Sequence, residues 1–142
     1  PLVEDAVASG SRLQTGGKTV RGDGYFYPPT VLTEVPRSAL MSHEDIFGPV
    51  AAISSFKTED EVITAANDTR YGLVNYVYTN DIKRALRVAD ALECGMVGLN
   101  RGAVASVAAP FGGVKASGLG REGGQDGIDE FLETKYVGIA MG

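Results

Sequence analysis

Apolar positions follow two different rhythms in the middle of the chain. Val50 to Phe56 is short, largely apolar and preceded by Gly48-Pro49, which predicts a strand. Thr58, with Glu61 three residues later, offers a capping box for a helix carrying Val62, Ile63, Ala65 and Ala66. Gly72 to Tyr78 is rich in aromatic and β-branched residues and predicts a second strand. Asn80 or Asp81 can cap the next helix, in which Ile82, Ala85, Leu86, Ala89 and Leu92 recur with the helical period. Gly95 stands where a left-handed C-terminal cap belongs, and Met96 to Leu99 predicts a third short strand. The order β-α-β-α-β implies an α/β fold with a parallel sheet and right-handed crossovers.

The flanks lack this rhythm. Leu2 to Ala8 reads as the tail of a helix, and residues 12–35 are rich in turns (Gly16-Gly17, Gly22, Gly24, Pro28-Pro29). Residues 101–120 form a long Gly/Ala/Pro/Ser segment with little periodicity, and loops of that length in a compact domain usually carry function. Arg121 to Leu132 predicts a short helix. Lys135 to Ala140 predicts a terminal strand, which needs an edge to pair with, such as one on another subunit.

Composition narrows the function. The chain has 142 residues, 44% apolar and 22% charged, about one ordinary globular domain. No stretch approaches the roughly 20 apolar residues of a membrane span, and no signal peptide is visible. A cytoplasmic protein is expected, without a membrane partner. Net charge is −5, which argues against a nucleic-acid partner. One cysteine, Cys94, and one histidine, His43, exclude an internal disulfide and the common zinc sites. The first residue, Pro1, suggests a fragment of a longer product.

Several groups invite a chemical reading. Gly118-Leu-Gly120-Arg-Glu-Gly123 spells GxGxxG, but Lys115-Ala116-Ser117 precedes it where a dinucleotide fingerprint needs a strand. Its glycines read better as turn formers. Cys94 follows Glu93, whose charge raises a thiol pKa, so Cys94 reads as a packing residue and not a nucleophile. His43 has no GxSxG serine to serve and reads as a loop histidine with a structural hydrogen bond. Asp45-Ile46-Phe47-Gly48-Pro49 is either a turn with a packed Phe47 or an acid that holds a ligand hydroxyl while Phe47 packs against a ring.

In order along the chain come Thr15-Gly16-Gly17, Gly24-Tyr25-Phe26 with Pro29-Thr30-Val31, His43 to Val50 (HEDIFGPV), and Ala66 to Leu73 (ANDTRYGL). Gly98-Leu99-Asn100 follows, then Pro110 to Lys115 (PFGGVK) and Ser117-Gly118. Together these resemble the aldehyde dehydrogenase superfamily over essentially the whole chain. The run Gly95 to Gly102, then APFGGVKASGLGREGG and Glu133-Thr134-Lys135-Tyr136-Val137, is most similar to the succinate-semialdehyde dehydrogenase branch.

The resemblance implies a C-terminal portion of the catalytic domain over residues 1–132 and an oligomerisation strand over residues 133–142. The cofactor domain and the catalytic cysteine region would lie upstream. It implies oxidation of an aldehyde, succinate semialdehyde foremost, to the acid with NAD or NADP. A cysteine thiolate attacks the aldehyde, hydride passes to nicotinamide, and a glutamate-activated water hydrolyses the thioester. No catalytic nucleophile or base in this chain matches the family's. The choice between NAD and NADP belongs to the upstream domain.

Residue by residue, the resemblance gives cofactor contacts to Asp45, on the nicotinamide-ribose hydroxyls, and to Phe47, by the ring. Glu is usual at the place of Asp45, with Glu44 as a neighbouring substitute. Asn100, Ala105, Ser106 and Phe111 fall on the substrate side, Phe111 lining the aldehyde tunnel. A serine that anchors the substrate carboxylate in the succinate-semialdehyde branch is here Ala105, beside Ser106. Glu122 matches an acid in proton relay, and Arg121 and Glu133 match ion pairs at a dimer interface. The implied partners are a small aldehyde and further copies of the chain in a homodimer or homotetramer. The isolated chain is expected to be inactive. The alternatives are a dehydrogenase for another small aldehyde and a truncated, non-catalytic oligomerising or binding module.

Overall fold

The computed structural model describes residues 1–142, which divide into two compact units, Pro1–Thr58 and Glu59–Gly142.

In the first unit, helix α1 (Leu2–Ala8) buries Val3 and Ala6, one turn apart on the same face. Glu4 and Asp5 sit in its first turn, where acids favour the helix dipole. Strand β1 (Arg12–Thr15) pairs antiparallel with β2 (Thr30–Thr33), with a bulge between Leu13 and Thr15. Strand β3 (Val50–Ala52) joins the other edge of β2 in parallel. The central strand therefore buries Thr30 and Leu32 and points Val31 and Thr33 to the other face. Leu32, fully buried, contributes about 2 kcal/mol by the usual transfer value. It packs in a core with Val3, Ala6, Val35, Ala39 and Met41, flanked by Tyr27, Ile46 and Val50. The Asp5 carboxylate accepts from Leu40 N at 2.8 Å and ties α1 to a 3-10 turn, Leu40–Ser42.

In the second unit, α2 (Glu59–Asn67) is followed by β4 (Tyr71–Gly72) and β5 (Val74–Val77). Helix α3 (Ile82–Ala91) leads to β6 (Met96–Leu99), which lies parallel to β5. Asp81 caps α3, its Oδ1 accepting from Lys83 N at 2.9 Å and Arg84 N at 3.2 Å. Ala85 and Val88 form the buried stripe of α3. Glu59 binds Arg87 Nε at 2.6 Å and Nη2 at 2.9 Å, and Arg84 Nε at 3.3 Å, joining the start of α2 to α3. Strand β7 (Val114–Lys115) pairs antiparallel with β4, and α4 (Asp126–Asp129) is one short turn of helix. No helix is long and apolar enough to cross a membrane.

The α/β class stands, but its sheet arrangement differs from the expected continuous parallel β-α-β-α-β. Strand β3 is hydrogen-bonded to β2, so of the expected helical crossovers only β5-α3-β6 forms. The expected strand from Gly72 to Tyr78 breaks at Leu73, because β4 takes β7 as partner while β5 takes β6. Gly95 is not a left-handed cap, since α3 ends at Leu92 in an extended conformation. Its missing Cβ serves close approach instead: a methyl there would run into Gly112 O and lie 2.9 Å from Gly113 Cα.

Two further expectations are corrected. The helix over Arg121 to Leu132 shrinks to α4, because Gly123 and Gly124, at φ 72° and 59°, turn the chain before it. The strand over Lys135 to Ala140 is not formed in this chain. A strand needs a neighbour for its backbone groups, and Tyr136, Val137 and Ile139 are exposed.

Candidate functional site

The Asp45–Phe47 turn follows the 3-10 turn of the first unit. Phe47 N donates to Asp45 O at 3.1 Å, Gly48 N to Ile46 O at 3.1 Å and Val50 N to Gly48 O at 2.8 Å. Ile46 packs inward against the core. Its neighbours face solvent, and Phe47 is 93% exposed. Of the two readings of this turn, the packed Phe47 is therefore excluded within the unit. Glu44 has a partner within the chain, whereas the Asp45 carboxylate has none. Just upstream, His43 Nε2 lies 2.7 Å from Arg37 O, the structural hydrogen bond expected of it.

In the second unit, β6 delivers Asn100 at the end of its ladder. Asn100 N donates to Val77 O at 2.9 Å. Its side chain holds the backbone of Thr79: Oδ1 accepts from Thr79 N at 2.9 Å, and Nδ2 donates to Thr79 O at 2.8 Å. Asn100 takes φ 52°, a left-handed conformation that asparagine tolerates. The chain then enters the loop 101–110, where Ala105 and Ser106 are exposed. Ser106 Oγ accepts from Ala108 N at 3.4 Å, and Ser106 O accepts from Ala109 N at 3.2 Å.

The loop closes at Phe111, which forms an antiparallel bridge with Glu122. The Phe111 side chain is half-buried, and Glu122 is exposed. Arg121 Nη1 donates to Gly113 O at 2.8 Å and Gly120 O at 2.7 Å, and Arg121 N donates to Glu130 Oε1 at 3.1 Å. Within the chain, then, Arg121 braces its own hairpin. Glu133 is exposed on the C-terminal segment. The structure thus joins Phe111 to Glu122 and places Asn100, Ala105 and Ser106 along one connecting loop. Asp45 and Phe47 belong to the other unit.

The remaining candidates take structural roles. Cys94 is half-buried, and its thiol donates to Met96 O at 3.1 Å. The GxGxxG letters do not make a dinucleotide loop. Gly118, Gly120 and Gly123 all have positive φ, and no helix starts until Asp126. No metal-ligand cluster is present.

One arrangement was invisible in the sequence. Lys115, at φ 56°, donates from Nζ to Asn67 O at 2.8 Å and Thr69 O at 3.3 Å, and pairs with Glu93 Oε2 at 2.6 Å. Its side chain thereby caps the C-terminal end of α2. No sequence pattern brings residues 67 and 115 together. The grip of Asn100 on Thr79 had only a faint signal, an Asn directly after a strand.

The helix pair α2 and α3 is coupled electrostatically. The Arg87 hydrogen bonds hold the Glu59 carboxyl below its ordinary range, and Glu59 raises Arg87 in return. Backbone hydrogen bonds, first that from Arg84, lower Asp81.

Comparison with known proteins places this geometry. The aldehyde dehydrogenase family model matches residues 1–137. The chain is 54% identical over 139 residues to the succinate-semialdehyde dehydrogenase of Paenarthrobacter nicotinovorans, covering 98% of this chain and 31% of that protein. It is 50% identical over 139 residues to a glutarate-semialdehyde dehydrogenase of Pseudomonas putida, covering 98% of this chain and 28% of the relative. Among solved structures, an E. coli NADP dependent enzyme superposes with a TM-score of 0.92 at 48% identity, covering 98% of this chain and 29% of that one. The chain therefore spans less than a third of the length of these relatives. Those shares give a fraction of a relative and not a place along it, so the C-terminal label expected from the motifs is not retained. The agreement in sequence and backbone over nearly every residue shows that the chain belongs to the aldehyde dehydrogenase family.

Proposed function

We propose that the chain is part of an enzyme that oxidises a short aldehyde bearing a distal carboxylate, succinate or glutarate semialdehyde, to the dicarboxylate with NAD+ or NADP+. The observation that carries this reading is identity of 50% or more, over nearly the whole chain, to enzymes named for those two substrates. Both substrates place a carboxylate at the far end from the aldehyde, so the shared chemistry is anion recognition plus aldehyde oxidation.

The chain's own residues suit supporting roles in that reaction. Asp45 and Phe47 fit a nicotinamide nucleotide. An unpartnered carboxylate can accept hydrogen bonds from ribose hydroxyls, and an exposed ring beside it can pack against the cofactor. When bound, the cofactor supplies a hydride acceptor. Phe111 offers an apolar wall, Asn100 and Ser106 lie on the same loop system, and the exposed Glu122 carboxylate can pass a proton to water. Ala105 offers no hydroxyl to the distal carboxylate, so we assign that contact to Ser106.

The reaction needs a thiolate nucleophile, and Cys94 is a poor one. It is half-buried, follows Glu93 and spends its proton on Met96 O. We therefore assign the nucleophile, the general base and the choice between NAD and NADP to protein beyond these residues. The isolated chain should be inactive. We also infer a cytoplasmic enzyme and a homo-oligomer, in which exposed Tyr136, Val137 and Ile139 become a strand on a second copy and Arg121 and Glu133 lie near the contact.

The test is formation of reduced nicotinamide from each semialdehyde. The complete enzyme should turn over both semialdehydes with NAD+ or with NADP+, and the purified 142-residue chain neither. Turnover by the chain alone would overturn its assigned inactivity. A complete enzyme that ignores both semialdehydes would overturn the substrate class.

A further inference from the structure

We propose that Asn100 is a positioning residue: it sets the course of loop 101–110, and through the loop the shape of the aldehyde pocket, by a two-bond grip on the Thr79 backbone. The proposal rests on the function just described, in which that loop carries Ser106 and ends at Phe111.

The geometry has three parts. First, both ends of the Asn100 amide are engaged by one residue, Oδ1 accepting from Thr79 N at 2.9 Å and Nδ2 donating to Thr79 O at 2.8 Å. These two bonds aim the amide plane at Thr79 and fix its orientation, so the side chain acts on the course of the backbone. Second, the amide extends the β5–β6 ladder by one more rung. The last backbone bond, Asn100 N to Val77 O at 2.9 Å, lies directly before it. The left-handed turn at φ 52° is thus locked at the point where strand becomes loop. Third, the loop has three further fixed points, one of them the bond from Gly124 N to Val107 O at 3.0 Å, and Asn100 is the upstream end of the span. Val104 packs over Gly98 beside Tyr76, where a methyl on Gly98 would lie 3.0 Å from Val104 and 2.6 Å from Tyr76 Cδ1. The Phe111–Glu122 bridge closes the downstream end.

The grip also reaches the other way. Thr79 Oγ1 accepts from Asp81 N at 3.2 Å, next to the cap of α3. One asparagine therefore holds two connections, the β5–α3 turn and the pocket loop, in register at the same end of the parallel pair.

The test uses the complete enzyme with Asn100→Gly, which keeps positive φ accessible and removes the side chain that makes the grip. Losing two hydrogen bonds should raise KM for the aldehyde about tenfold, with kcat and the KM for NAD(P) little changed. Hydrogen exchange should quicken at Thr79 and across loop 101–110 together. Asn100→Asp, which accepts from Thr79 N but sets a charged oxygen against Thr79 O when ionised, should give at least as large a rise and covers the case of a misfolded glycine variant. An unchanged KM with a lowered melting temperature, or faster exchange at Thr79 with none in the loop, would overturn the proposal. If the unsubstituted enzyme oxidises neither semialdehyde, the proposed function fails, and loop exchange alone still decides whether Asn100 governs the loop.

Discussion

Phe111 and Glu122 exchange both backbone hydrogen bonds, N to O at 2.7 and 2.8 Å, and so close residues 112–121 into a hairpin that presents a half-buried ring and an exposed carboxylate side by side in sequence pairing. The bond pair fixes the backbone and leaves both side chains free for other work.

Because the bridge is made by backbone, Phe111→Ala should leave it intact. The complete enzyme should lose kcat/KM for its aldehyde by about tenfold, from lost apolar contact, with little change in unfolding midpoint. An unaltered kcat/KM combined with a large loss of stability would mean that Phe111 serves the fold and not the pocket.

Gly95 shows what close approach costs. A methyl at that position collides with Gly112 O and crowds Gly113 Cα at 2.9 Å, and both obstacles are backbone. Gly95→Ala should destabilise the second unit by about 2 kcal/mol, as overpacking typically does. Urea denaturation checks this through a lowered midpoint at constant slope.

The helix pair predicts a pH dependence. Glu59 and Asp81 both have folded pKa values below their ordinary 4.5 and 3.8, Glu59 chiefly through Arg87 and Asp81 chiefly through the Arg84 backbone N–H. A lowered carboxyl pKa adds stability that is present above the unfolded value and is lost as pH falls through the folded one. Melting temperature should therefore drop below about pH 4, near the ordinary carboxyl values. Glu59→Gln and Asp81→Asn should each flatten that drop while lowering stability at neutral pH. A pH profile identical to that of the unsubstituted chain would contradict the assignment.

Cys94→Ser tests the role of the lone thiol. A serine hydroxyl can still donate to Met96 O, so the local hydrogen bond should survive. Turnover by the complete enzyme should be unchanged. A loss of several orders of magnitude would make Cys94 the nucleophile and reverse the reading given above.

The local elements were legible where a pattern needs only its near neighbours. The helix after Tyr78 forms, with Asp81 as the cap of the two candidates, although Ile82 and Leu86 are exposed, Val88 is buried beside Ala85, and Leu92 lies past the helix end. Strand β6 forms as well, at Met96–Leu99. Periodicity and capping are short-range, so a few residues contain the whole signal. The turn-rich stretch 12–35 concealed β1 and β2, because strands of four residues joined through a bulge leave little alternation to read. Of the candidate site, the sequence supplied residue types in family order, Asp45 and Phe47 among them. It could not say that Ile46 would turn inward and leave Phe47 exposed.

By itself, then, the sequence determined the family, the α/β class and the identities of Asp45, Phe47, Asn100, Phe111 and Glu122, since each depends on residue type and order along the chain. Only the tertiary structure decided which strands pair. It placed β3 on β2, divided Tyr71–Gly72 from Val74–Val77, and left residues 133–142 without a strand partner in this chain. It also decided that Asn100 grips Thr79 and that Lys115 caps α2. The physical reason is common to these outcomes. A hydrogen-bond partner is chosen by proximity in space, and a backbone N–H or C=O carries no residue-specific mark by which sequence alone could name its partner.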